Sequence, residues 1–256
     1  MVKLQPSESA FVYDLYKTKT TFFPIIAGVI RGIQDGVIYC NRLKSPSAFY
    51  VEHCFGFAQV FGSTDDHFLE GLHEYLVIKK SFEGNKVRLY TPKEPKFLRN
   101  PIFDNIRAER QRFVIKDFDL RIPVALPSIK LRALRRKDIP FLNPELTDVS
   151  RFWRSIEDFT ANSFAVVAWQ ESKSLAICYS AATISGKAEI DVATSENCRR
   201  RGIGKAVVTA FIDKCRAEKI TPLWDCFTNN LGSMSLAKSC GFVPSGCPYP
   251  FYTFSR

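Results

Sequence analysis

Between residues 187 and 226 the chain reads as strand, loop, helix, strand, and no other stretch restricts the possible folds as much. "KAEIDVAT" has the alternation of a half-buried strand, and "TPLWDC" is short and apolar enough for a second one. The helix between them, "KAVVTAFIDKCRAEK", places Val207, Val208, Phe211, Ile212 and Cys215 on one face. Two strands joined through a helix lie parallel in one sheet, because the crossover packs back onto the sheet in the right-handed sense. An α/β class follows.

Further short elements surround this unit. "DVSRFWRSIEDFTANS" reads as a helix, and "FAVVAWQ" and "SLAICYSAATI" read as strands, with a turn at Ser185-Gly186-Lys187. A short helix, "GSMSLAKSC", is stopped by Gly241, and "FYTF" is a terminal strand. In the first half, "SAFYVEHCFGFAQVFG" and "EYLVIKKSFEGNKVRLYTP" read as strands, the second turning at Glu83-Gly84-Asn85. "TDDHFLEGLHEYL" reads as a helix opened by Thr64 or Asp65, with Phe68, Leu69, Leu72 and Leu76 on one face. The proline-bearing "DLRIPVALPSIKLR" is a connector or a pair of edge strands, which sets the expected domains at 1–125 and 126–256. A chain of 256 residues is long enough for two cores. No internal repeat shows.

The loop "CRRRGIGK" sits where a strand gives way to a helix, and it has three readings: a basic surface patch, a nucleotide loop, or a pocket for another anion. A helix N-terminus offers unpaired N–H groups and partial positive charge, and Gly202 and Gly204 let a ligand approach the backbone. Arg199, Arg200 and Arg201 add bidentate donors. The string GxxxxGK[ST] of a P-loop is missing. A dinucleotide fingerprint needs a third glycine where Val207 stands, and too little chain follows Asp225 for a second mononucleotide half.

What remains is R-x-x-G-x-G, Arg199, Gly202 and Gly204, between a strand and a helix. This resembles motif A of the GNAT acetyltransferase superfamily. "RFWRSIEDF", "AEIDVAT", the loop and its helix, and "PLWDC" followed by Asn230 and Gly241-Phe242 look like the GNAT members that carry an extra N-terminal half. The resemblance implies a C-terminal GNAT fold, a mixed and partly antiparallel sheet flanked by helices, beside a smaller N-terminal mixed α/β domain. It implies an enzyme that uses acetyl-CoA as co-substrate and acetylates an amine.

By that resemblance, Val192, Ala193 and Thr194 hold the pantetheine arm through their main chain, and Arg199, Arg200, Arg201, Gly202, Ile203, Gly204 and Lys205 cradle the pyrophosphate. Asn230 and Ser233 touch the far side of the cofactor. An amine protonated at neutral pH needs a general base. Glu189 and Asp191 alternate with Ile190 and Val192 and share a face of their strand, so Glu189 is the candidate base, with a structural salt bridge as the other reading and an arginine pairing for Asp191. Family members often carry a tyrosine at the position of Ala237 to protonate the departing thiolate. Tyr249 and Tyr252 are the substitutes, with Tyr252 the candidate acid and packing the other reading for both.

Charge enters at this point. With 36 Lys and Arg against 26 Asp and Glu, the net charge of +10 favours phosphorylated or polyanionic partners: the coenzyme, and an anionic acceptor such as an aminoacyl-tRNA or other RNA. Small amines, peptide N-termini and lysines are the other acceptors. The eight cysteines show no CxxC, and His53, His67 and His73 lie away from most of them, so no metal site and no disulfide framework are expected. The histidines of "DDHFLEGLH" read as a solvated helix side. No secretory leader or apolar span is expected, which points to reduced thiols in the cytoplasm and no membrane partner. Two further classes remain: a degenerate acyl-CoA-binding sensor or scaffold, and a nucleic-acid module built on the arginine run.

Overall fold

A computed structural model of the chain describes all residues except 6, 7, 120, 121, 123, 125 and 147–150. Its contacts divide into two compact units, Met1–Arg110 with Tyr249–Arg256, and Gln111–Pro248. The division therefore falls before the expected 125/126 seam, and the tail does not stay with residues 126–248. The physical reason is strand pairing at the chain's end, described below.

The first unit opens with β1 (Val2–Lys3), α1 (Ala10–Tyr16) and α2 (Pro24–Ile30), the last buried on every side and started by Pro24. Strands β2 (Gly36–Cys40), β3 (Ala48–His53) and β4 (Phe57–Gly62) are antiparallel neighbours. Helix α3 (Asp66–His73) follows, capped by Asp65, whose carboxylate accepts the Phe68 N–H at 2.8 Å. Strand β5 (Lys86–Tyr90) then returns parallel to β4. Tyr252 to Ser255 pair antiparallel with Leu89 to Lys86 and so close the unit. Phe68, Leu72 and Leu76 pack on Tyr50, Val60, Leu89 and Tyr252.

One expectation in this unit is corrected. Residues 74–82 do not form a strand: Glu74–Ile78 continues α3 as a π-helical turn. Leu76 lies one further step along the Phe68, Leu72 row and is fully buried there, so helical periodicity overrides the β-branched look of "LVI".

The chain leaves the first unit along β6 (Arg107–Ile115). The second unit contains β7 (Lys130–Ala133), α4 (Ile156–Asn162), β8 (Ala165–Gln170), β9 (Lys173–Ile184), β10 (Lys187–Thr194), α5 (Ile203–Ala217), β11 (Thr221–Phe227) and α6 (Leu231–Ser239). Its strand order is β6-β11-β10-β9-β8-β7, antiparallel from β7 to β10 and parallel between β10 and β11. The crossover read from the sequence is present. The helix expected from residue 148 is shorter: Ser155 caps α4 by accepting the Asp158 N–H, Phe152 and Trp153 are buried ahead of it, and residues 148–150 lie outside the described ones. Ser185 and Gly186, both at positive φ, form the two-residue turn between β9 and β10. Strand β12 (Phe242–Ser255) carries the chain back to the first unit.

The topology holds a repeat that the residues do not advertise. In each unit four antiparallel strands, β1–β4 and β7–β10, lead into a helix and a parallel return strand. In each, the parallel pairing runs for three residues: Phe57 to Gln59 with β5, and Lys187 to Glu189 with β11. Aligning these windows sets Gln59 against Glu189.

Phe211 anchors α5, fully buried and stacked on Phe164 with ring centroids 4.7 Å apart. Truncation of Phe211 to alanine is expected to destabilise the second unit by about 3–5 kcal/mol, read as a fall in the denaturant midpoint.

Candidate functional site

Strands β10 and β11 form a fork. They pair through Lys187↔Thr221, Ala188↔Pro222 and Glu189↔Leu223, yet β10 runs on to Thr194 and β11 to Phe227. The other edge of β10 holds the cause. Glu189 faces Ala182 on β9 and Ile190 faces Ser180, which leaves Ala181 as the extra residue of a bulge. A bulge adds twist and bends the ladder, so β10 turns away from β11 just past Glu189. Glu189, 8% exposed, is the last residue before the strands part.

Beyond it, β10 offers a free edge. The Ser195 N–H donates to the Leu175 carbonyl on β9 at 2.9 Å. Antiparallel alternation then turns the main-chain groups of Val192 and Thr194 toward the side that β11 has left. Residues 192–194 are half-buried. Such an edge takes an extended, amide-bearing ligand as it would take a strand.

The loop after β10 aims a helix at the same place. A short 3₁₀ turn, Glu196–Cys198, buries Cys198, and Arg200 and Gly202 then take φ of 60° and 77°. Gly202 is the N-cap of α5 and supplies no side-chain acceptor, so the first N–H groups of the helix keep no partner within it. No acidic residue sits in that first turn. Gly204 lies inside the helix rather than in the loop: a Cβ there would stand 3.1 Å from Thr194 Oγ1 and 3.6 Å from Leu236 Cδ2. Ile203 is buried beneath, Lys205 is half-buried, and Arg199, Arg200 and Arg201 are exposed around the opening. Arg199 donates to the Thr194 carbonyl at 3.4 Å. Main-chain donors, helix dipole and guanidinium groups converge here, an arrangement whose chemistry suits an anion.

The second arm of the fork is held rigidly. Asp225 on β11, its side chain 1% exposed, pairs with Arg112 at 2.9 Å. The Trp224 indole N–H donates to Ser233 Oγ at 3.1 Å, and Asn230 caps α6 by accepting the Ser233 N–H at 3.0 Å. Asn230 and Ser233 thus fasten α6 to β11, which leaves the Asn230 amide NH₂ and the Ser233 hydroxyl proton as donors. Ala237, on the inner face of α6, is fully buried in the core.

Tyr252 has the packing role that was its other reading. It lies in the core of the first unit with its phenol donating to Glu94, and burial pushes its pKa up to about 12. Asp191 has the arginine pairing foreseen for it, 3.5 Å from Arg151, and also accepts the Tyr179 hydroxyl at 2.5 Å. Sequence reasoning missed Tyr179 and Arg112; a lone phenol inside the apolar run "SLAICYSAATI" was the available signal for the first. The eight cysteines are free thiols; burial pushes Cys215 up to about 12 and Cys178 well up, so neither is a nucleophile. Among the described residues no cluster of three or more acidic, histidine or cysteine side chains could hold a metal ion, and no helix is long and apolar enough to cross a membrane.

Comparison with known proteins agrees with this geometry. The sequence profile of the GNAT acetyltransferase family matches residues 15–252, reaching well into the first half. The N-acetyltransferase YdfB of Bacillus subtilis (strain 168), described as uncharacterized, is 31% identical over 91 residues. That match covers 36% of this chain and 35% of YdfB, so the chain spans about a third of the length of the curated relative it matches. A GCN5-related N-acetyltransferase-like protein from Streptococcus suis 89/1591 has the same fold, with TM-score 0.71, 18% identity, and coverage of 98% of this chain and 99% of that one. A tandem GNAT protein from the clavulanic acid biosynthesis pathway, solved without AcCoA, gives 0.64 at 12% identity over 99% and 97%.

The Tyr252 environment carries a pH consequence. Its phenol is favoured neutral in the fold, so the stability it contributes is present below pH ~10 and is lost as pH rises toward about 12. Tyr252→Phe should remove one late-titrating phenol from an ultraviolet pH titration.

Proposed function

The chain belongs to the GNAT acetyltransferase family, and on that premise we propose that it transfers an acetyl group from acetyl-CoA to an amine, with Glu189 as general base. The observation that carries the reading is the conjunction of fork and anion site: a free strand edge at 192–194 beside the glycine-bearing N-terminus of α5. Residues 199–205 take the pyrophosphate on main-chain N–H groups and guanidinium charge, and the edge of β10 takes the pantetheine amides. The Asn230 amide is a further donor.

The acceptor must reach the thioester as a neutral amine. Its nitrogen attacks the carbonyl carbon, the C–N bond forms, and the proton it sheds passes to Glu189, directly or through a water. The Val192 N–H faces the developing oxyanion, a fixed dipole in a half-buried place. The C–S bond then breaks and the electron pair leaves with sulfur. A thiol of pKa ~8.5 is a competent leaving group as thiolate, so Ala237 need not supply the acid that a tyrosine would.

Ala237 favours a second reading, an acyl-CoA-binding sensor without turnover. The acceptor class follows the charge: net +10 suits an acceptor with an anionic body, an RNA-linked amine among them, and small amines and peptide amines complete the set. The chemistry is that of a cytoplasmic enzyme with reduced thiols.

Calorimetric titration with acetyl-CoA should show binding that Gly204→Glu abolishes, because the new side chain meets β10 and brings negative charge to the anion site. Glu189→Gln should keep acetyl-CoA affinity while lowering turnover with an amine panel by about 10²–10⁴-fold. Binding without turnover on any amine, peptide or aminoacyl-tRNA would establish the sensor instead.

A further inference from the structure

The free edge of β10 is not idle. Val192 N–H, turned toward the gap, donates to Oδ1 of Asp191 at 3.1 Å. The other oxygen of that carboxylate, Oδ2, accepts the Tyr179 hydroxyl at 2.5 Å and lies 3.5 Å from the Arg151 guanidinium. Tyr179 stands directly opposite Asp191 in the β9–β10 register and is almost fully buried, so the phenol holds the carboxylate in place. Arg151 in turn lies over the ring of Phe152.

A role confined to pairing Tyr179 with Arg151 would not need the contact to Val192. That contact covers the main-chain donor exposed when β11 departs, and an uncovered N–H in a half-buried place is costly. A carboxylate is a stronger acceptor than a thioester carbonyl. Whatever takes the Val192 N–H must first displace Asp191.

We propose that Asp191 is a guard on the Val192 N–H: it occupies that donor in the free chain, yields it to the acyl carbonyl of acetyl-CoA, and retakes it once the acyl group has left. The inference rests on the reading that Val192 polarises the thioester. Under it, Asp191 is a positioning residue acting through the main chain, with Tyr179 as its anchor. The guard weighs against acetyl-CoA and not against free CoA, which presents no acyl carbonyl. It therefore lowers the preference for the loaded coenzyme and hastens the return to the free state.

The test compares dissociation constants for acetyl-CoA and CoA, by calorimetry, in the native chain, Asp191→Ala, Asp191→Asn and Tyr179→Phe. Removing the carboxylate should raise the ratio of CoA to acetyl-CoA dissociation constants by about three- to tenfold in Asp191→Ala, the scale of one net hydrogen bond. Asp191→Asn, with a neutral acceptor of the same shape, should fall between native and Asp191→Ala, and Tyr179→Phe should shift the ratio in the same direction. A merely structural Asp191 would weaken both ligands alike and leave the ratio unmoved. An unchanged ratio in the near-isosteric Asp191→Asn and Tyr179→Phe, with acetyl-CoA still bound, overturns the guard alone. Failure of the native chain to bind acetyl-CoA overturns the acetyltransferase reading and the guard with it.

Discussion

Everything at the site depends on a mismatch of one residue between β9 and β10. Parallel strands joined by a crossover helix would ordinarily stay paired for their length. Here Ala181 is surplus on β9, the ladder bends at the Glu189–Ile190 step, and β11 cannot follow. A hydrogen-bonding edge that a sheet would normally consume is left over inside the protein rather than at its rim. Because the bend follows Glu189 immediately, the one buried carboxylate of the strand comes to the place where the gap begins.

The gap stays open because neighbouring elements fasten each side separately. On β11, the buried pair of Asp225 and Arg112 and the indole of Trp224 fix the strand and α6 together. On β10, Gly204 lets the first turn of α5 run against Thr194 without a side chain between them. The loop then needs two residues at positive φ to bring the helix end round, and the helix arrives with uncapped N–H groups. What the place offers is largely main-chain geometry, to which the exposed arginines add charge more than shape.

What the residues disclosed follows from what is local. The face of α5, the turn at Ser185-Gly186 and the order of the crossover unit depend on period and turn chemistry, and each is where the sequence puts it. Helix α2 is apolar all round, so "PIIAGVI" has no amphipathic period to read. The π-helical turn at Glu74–Ile78 hides behind residues that favour strands. The fork itself was not legible, because the bulge lies on β9 while its effect is felt between β10 and β11. Glu189 could be named from alternation, but not its place at the parting of the strands. The duplicated topology was equally silent: Gln59 and Glu189 hold matching register positions in surroundings that share no motif, and the acidic cap Asp65 of α3 stands where the second unit has glycine.

The route of the chain between its two units bears on how the protein is made. Tyr249–Arg256 completes the unit formed by Met1–Arg110, through the pairing of Tyr252 to Ser255 with β5 and through Tyr252 and Phe254 in its core. During synthesis the first unit must therefore wait, with the β5 edge and part of its apolar interior uncovered, until residues 111–248 have been made. Contacts of such long sequence separation form slowly and leave aggregation-prone intermediates exposed. The ribosome cannot hand these two units over one finished unit at a time; completion of the first is gated by a strand made after the second.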